Sequence, residues 1–111
     1  MFVNDNIKTT SVDFLFRAIM SMQSLEECYD FFEDLCTVQE LKAISQRLVV
    51  AKMLSDKKVY SEIVKETGAS TATISRVNRS LVYGNDSFMK LFLRLPRRWD
   101  QSEDEEDVQG E

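Results

Sequence analysis

Between Ser70 and Arg79 the chain sets hydroxyls, a small apolar residue and two guanidiniums at spacings that bring several of them to one side of a helix. With Ile74 at zero on a wheel of 100° per residue, Val77 and Leu81 fall beside it, while Ala72, Ser75, Arg76 and Arg79 swing to the opposite side. The chemistry such a face offers is recognition of a polyanion. In a DNA major groove about 12 Å wide, small side chains let a helix backbone come close, methyl groups meet thymine, and arginine forks onto guanine or grips phosphate.

The elements that would hold this face can be read from the surrounding run, Tyr60 to Leu81, YSEIVKETGASTATISRVNRSL. It predicts two short helices hinged at a glycine. Ile63 and Thr67 fall four apart and face inward, and Gly68 stands where a left-handed backbone suits a residue without Cβ. Ser70 caps the second helix by accepting from the N–H of Ala72 or Thr73. The outline is that of a helix-turn-helix over about 60–81. A glycine-linked helix pair with a polar outer face also occurs in small helical domains that never meet DNA. Val64 departs from the usual pattern, which keeps a small residue there for close helix packing.

Catalytic readings find little support. The 111 residues include no histidine, hence no His general base and no His metal ligand. Cys28 and Cys36 lie eight apart on one predicted helix, about 12 Å along its axis, beyond the reach of an intrahelical disulfide, and without a CxxC they make no zinc site. The acidic pairs Glu26/Glu27 and Glu33/Asp34 point in different directions as solvated faces. No enzyme and no cofactor are expected.

The formal charge of −5 conceals an uneven distribution. Residues 1–41 carry two basic and eight acidic groups, residues 42–99 twelve basic and four acidic, and residues 100–111 seven acids and no base. Positive charge is thus concentrated around the reading motif, and local charge governs phosphate attraction because screening sets in within about 8 Å. No run of about 18 apolar residues occurs and the N-terminus lacks the pattern of a signal peptide, so a cytoplasmic, membrane-free protein is expected.

With three Gly and one Pro, an all-α fold of about six helices is favoured. Residues 1–10 read as a flexible N-terminal arm, 11–98 as the helical domain and 99–111 as a disordered acidic tail. Val12, Leu15, Ile19 and Met22 stripe a first helix; Ser24 and Glu27 form a capping-box pattern opening a second, lined by Cys28, Phe31, Phe32 and Leu35. Thr37 and Glu40 repeat the signature and open a long third helix through about Ser55, with Leu41, Ile44, Leu48 and Ala51 as its stripe. After the reading motif, Tyr83 to Asp86 signal a turn, and Phe88, Leu91, Phe92 and Leu95 form a last helix that Pro96 stops. The first two and last helices carry more apolar surface than a body of this size buries alone. A homodimer resolves this and supplies a second reading helix about 34 Å from the first.

The run Leu35 to Leu81, with Thr37-x-x-Glu40, Arg47 and the Gly68-Ala69-Ser70-Thr71-Ala72-Thr73-Ile74-Ser75-Arg76 core, resembles the Trp repressor superfamily and within it the YerC/YecD group. The resemblance covers roughly residues 11–95. It implies an intertwined all-α homodimer with a helix-turn-helix in each subunit, acting as a bacterial transcriptional regulator on a double-stranded DNA operator. Matching positions imply that Ser70, Thr71, Ala72, Thr73 and Ser75 approach bases or phosphates, with Arg76 beside them or turned toward an effector pocket; Arg79 departs from the repressor pattern and is expected as an added phosphate contact, and Lys65 of the preceding helix as a further backbone contact. They also imply an effector site at Thr37, Arg47 and Arg76; Arg47 lies at the margin of its helix's stripe beside Ala51 and Leu54, where its stem can pack. The other role open to Arg47 and Arg76 is phosphate contact or a surface ion pair. Val77 stands where the tryptophan-binding pattern has glycine, and its branched side chain intrudes where a flat indole would lie. This speaks against tryptophan and for a different small effector or none. A sequence-specific dimeric regulator acting as a repressor is therefore expected, with a helical protein-interaction module that keeps the fold without binding DNA as the alternative.

Overall fold

A computed structural model describes residues 6–100. Among them are six helices and no strand: α1 (Thr10–Met20), α2 (Leu25–Leu35), α3 (Val38–Ser55), α4 (Tyr60–Thr67), α5 (Thr71–Tyr83) and α6 (Ser87–Phe92). The chain divides into two compact units, Met1–Lys42 and Ala43–Glu111, so the expected body 11–98 spans parts of both. Of the expected N-terminal arm, residues 1–5 lie outside the described residues, while Thr9 caps α1 by accepting from the Val12 N–H at 3.2 Å. Of the expected acidic tail, 101–111 lie outside the described residues.

In the first unit, each helix begins where a hydroxyl meets an unpaired backbone donor. Ser24 Oγ accepts from the Glu27 N–H at 3.1 Å, and Glu27 Oε2 accepts from the Gln23 N–H at 3.1 Å. At the start of α3 the box is reciprocal: the Thr37 N–H donates to Glu40 Oε1 at 2.8 Å and the Glu40 N–H to Thr37 Oγ1 at 3.1 Å. The Thr37 N–H, and secondarily its side chain, hold the Glu40 carboxyl below the ordinary carboxylate range. A depressed pKa of this kind contributes stability above the ordinary carboxylate pKa, and the contribution is lost as pH falls through the lowered value. Neither α1 nor α2 buries a side chain fully: Phe14 is 76% exposed, Met20 84% and Leu25 74%.

The second unit has the core. Val50, Ala51, Met53 and Leu54 of α3 pack with Ile63 of α4, Ala69 of the turn, and Ile74 and Val77 of α5, and Val49, Leu81, Phe88 and Phe92 close around them. The α3 stripe expected at Leu41, Ile44 and Leu48 is therefore rotated from the observed core face, with Ile44 53% and Leu48 41% exposed and only Ala51 shared. The cause is legible afterwards: from Leu48 to Leu54 the helix is apolar on most sides, so periodicity does not single out the face that α4 and α5 cover. Lys52 lies over the Phe92 ring at 5.5 Å and pairs with Asp56 at 3.1 Å. The last helix ends at Phe92, three residues before the expected Leu95, because Arg94 and Leu95 donate back three residues, to Leu91 and Phe92, in tighter turns ahead of Pro96.

Candidate nucleic-acid interface

The run expected to form a helix-turn-helix consists of α4, the Gly68–Ser70 turn and α5. Gly68 closes α4 at φ +72°, its N–H donating to the Val64 carbonyl at 2.9 Å. A Cβ there would meet nothing within 4 Å, so the demand for glycine comes from the left-handed backbone and not from crowding. Gly68→Ala is accordingly expected to lower unfolding free energy by about 1 kcal/mol without altering the turn, as thermal unfolding would measure. Three hydrogen bonds lock the corner. The Thr67 hydroxyl donates to the Ile63 carbonyl at 2.7 Å, the Ala69 N–H donates to Thr67 Oγ1 at 3.1 Å, and Gln46 Nε2 from α3 donates to the Thr67 carbonyl at 3.1 Å.

Ser70 starts α5 by accepting from the Thr73 N–H at 3.1 Å, one of the two partners expected for it, and its Oγ lies 3.0 Å from Thr73 Oγ1. Ile74 and Val77 fix one side of α5 in the core. The other side presents Thr71, Ala72, Ser75, Arg76 and Arg79, all exposed, with Ser70 exposed at the cap and Thr73 half-buried. The first turn of α5 carries no acidic residue, which leaves its positive dipole end open to an anion. Among the described residues Arg76, Arg79 and Lys65 have no carboxylate within 4.0 Å. Lys65 is exposed on α4. Val64, the departure from the helix-turn-helix pattern, is 37% exposed.

Arg47 of α3 and Arg76 of α5 line one cleft of about 420 Å³ together with Val77, Ala43, Gln46, Thr73, Ser80 and Phe88. Val77 is buried, so its side chain forms apolar wall where the cleft meets the core. Thr37 belongs to the first unit and is engaged with Glu40 as the α3 cap. Ser80, Gln46 and Phe88 were not anticipated as lining residues. Ser80 follows Arg76 by four on the same helix and was within reach of periodicity; Gln46 is committed to the Thr67 carbonyl, and Phe88 arrives from α6, so neither left a local signal.

A family model described as Trp repressor protein matches residues 10–95. YerC of Bacillus subtilis, an uncharacterized protein, is 54% identical over 84 residues, covering 76% of this chain and 81% of that protein. A TrpR-like protein from Eubacterium eligens is similar in structure, with a TM-score of 0.79 and 56% identity over 82% of this chain and 94% of that one. A Trp repressor candidate from Staphylococcus aureus gives a TM-score of 0.80 and 48% identity over 85% of this chain and 94% of its own. The all-α fold, the matched span and these relatives agree, and the chain belongs to the Trp repressor family.

Proposed function

We propose that the protein is a sequence-specific DNA-binding transcriptional regulator that acts as a homodimer, each subunit entering the major groove with α5 and repressing by occupying an operator. The observation that carries this reading is the division of α5. One side is immobilised by Ile74 and Val77, while the other offers small and hydroxylic residues and two arginines without a carboxylate partner. A rigid backing with an open cationic face is what base readout requires. Such a protein works by binding and performs no reaction, and it would act in the cytoplasm where its operator lies. Among the described residues no helix is long and apolar enough to cross a membrane.

Anisotropy titration against random and genomic DNA at about 50 mM salt tests the proposal. Saturable, sequence-dependent binding is expected. Its absence would favour the helical interaction module, for which the exposure of Val59, Tyr60 and Val64 around α4 is the supporting observation.

The cleft lined by Arg47 and Arg76 is the place for a small effector, and Val77 in its wall speaks against tryptophan. Calorimetry with tryptophan is expected to show no tight binding, because a branched side chain stands in the cleft wall where the tryptophan-binding pattern has glycine. Micromolar binding would refute the assignment of that role to Val77.

A further inference from the structure

We propose that Gln46 is a positioning residue for DNA reading: its side-chain amide, reaching out of α3, holds the corner between α4 and α5 and so sets the direction in which α5 meets a groove. The inference rests on the DNA-binding reading above. Its first support is a polar residue on an apolar line. Counting back along α3 from the buried Val50 by four, or from the buried Met53 by seven, reaches Gln46, so it extends the inner side of that helix by one turn. An apolar side chain would pack there without needing a partner. A half-buried primary amide is retained at low cost only when it is hydrogen-bonded. Gln46 Nε2 donates to the Thr67 carbonyl at 3.1 Å, across 21 positions of sequence. Thr67 is the last residue of α4, so its carbonyl has no later amide of that helix to accept from, and Gln46 supplies the missing partner.

The second support is what the other bonds of the corner leave unfixed. The Thr67 hydroxyl bonds to the Ile63 carbonyl and the Ala69 N–H to Thr67 Oγ1, both within one short stretch of chain. They shape the turn without tying it to α3. Gly68 has no side chain to anchor it, and Ile74 and Val77 seat α5 on the core through apolar contact, which is non-directional. The Gln46 bond adds a direction, and it ends three residues before Ser70, the cap at which the reading face begins. The 13 residues of α5 make about 20 Å of helix, so a tilt of about 5° moves one end by about 2 Å relative to the other. Hydrogen bonds to base edges fail over that distance, because their lengths vary by only about 0.5 Å. Contacts to phosphate fix register and carry no sequence information, and long arginine side chains follow such a shift. Loss of the Gln46 amide should therefore reduce discrimination among sequences more than attraction to DNA in general.

The test compares the intact chain with Gln46→Met, which keeps the side chain's length without a donor, and with Gln46→Lys, which restores a donor. Affinities for the strongest genomic site from the titration above and for random DNA are measured at one salt concentration, well below the unfolding temperature. The Thr67 carbonyl-carbon resonance is followed without DNA. In Gln46→Met that resonance is expected to move, affinity for the genomic site to fall about 10-fold, and affinity for random DNA to stay within about twofold, with the salt slope unchanged because no phosphate contact is lost. Gln46→Lys should return both the carbonyl signal and the ratio of the two affinities, since its added charge raises both and cancels in the ratio. A purely structural role would lower the melting temperature of Gln46→Met and leave the ratio alone. An unchanged ratio in Gln46→Met would overturn the positioning role, as would a fallen ratio with the carbonyl resonance unmoved. If Gln46→Met does not fold, a Gln46→Lys chain with the native carbonyl signal and a 10-fold lower ratio overturns it equally. An intact chain that binds no DNA would overturn the regulator reading and the positioning role with it, even where the carbonyl resonance moves as expected.

Discussion

Replacing Arg76 and Arg79 together by alanine is expected to lower affinity for the operator by about 1,000-fold or more while leaving the fold and its thermal unfolding unchanged. Each arginine that contacts phosphate or a base is worth roughly 1–3 kcal/mol, and a twofold assembly loses each contact twice. The fold should survive because both side chains are exposed and neither has a carboxylate partner among the described residues, whereas the residues that anchor α5, Ile74 and Val77, are untouched. The single variants separate the roles. If Arg79 holds phosphate, Arg79→Ala weakens all sequences alike and lowers the salt slope by about 0.9 per lost contact. If it reads guanine, the loss is confined to sequences carrying that base. Arg76 has a second attachment, to the cleft it shares with Arg47, so Arg76→Ala should also alter any effector response, and Arg79→Ala should not. Unchanged affinity of the double variant would remove α5 from the interface and favour the interaction module.

Local chemistry carried most of what could be read from the chain in advance. Helix starts were legible at Ser24, Thr37 and Ser70 because a cap is a hydrogen bond between residues three apart, and Gly68 was legible because few other residues accept a positive φ. The two faces of α5 were legible for a similar reason: polar and apolar residues there segregate at the helical period, with Ile74 and Val77 inside and Ser75, Arg76 and Arg79 outside. Features set by more distant neighbours were not. The apolar stretch Leu48 to Leu54 supplies several possible inner faces, and packing of α4 and α5 selects the one through Val50 and Met53. Lys57 and Asp86 adopt positive φ without being glycine, Lys57 donating to the Leu54 carbonyl as α3 ends and Asp86 standing as the cap position of α6. The cleft was half legible: Arg47 and Arg76 were expected near one another, but Phe88 joins them through α6, which no spacing within α3 or α5 reports.

Phe14→Ala is expected to weaken self-association by about 10³-fold, and the intact protein is expected to sediment as two chains with a melting temperature that rises with concentration. The first unit has no fully buried residue in α1 or α2, yet it displays Phe14, Met20, Leu25 and Tyr29, each more than half exposed. Large apolar side chains displayed in this number on two neighbouring helices of the sequence are expected to be covered by a second copy of the chain. Burying one such ring contributes about 2 kcal/mol, and twofold symmetry removes two rings at once, about 4 kcal/mol in total or three orders of magnitude in the dissociation constant. DNA binding should fall with it even though residue 14 lies outside α4 and α5, since a single α5 would read one half-site and give up the gain from holding two at fixed separation. At protein concentrations high enough to restore the dimer, Phe14→Ala should recover operator affinity, whereas the Arg76 and Arg79 double variant should not. A protein that sediments as a single chain at micromolar concentration, and still binds its operator tightly, would separate recognition from self-association and place both on one subunit.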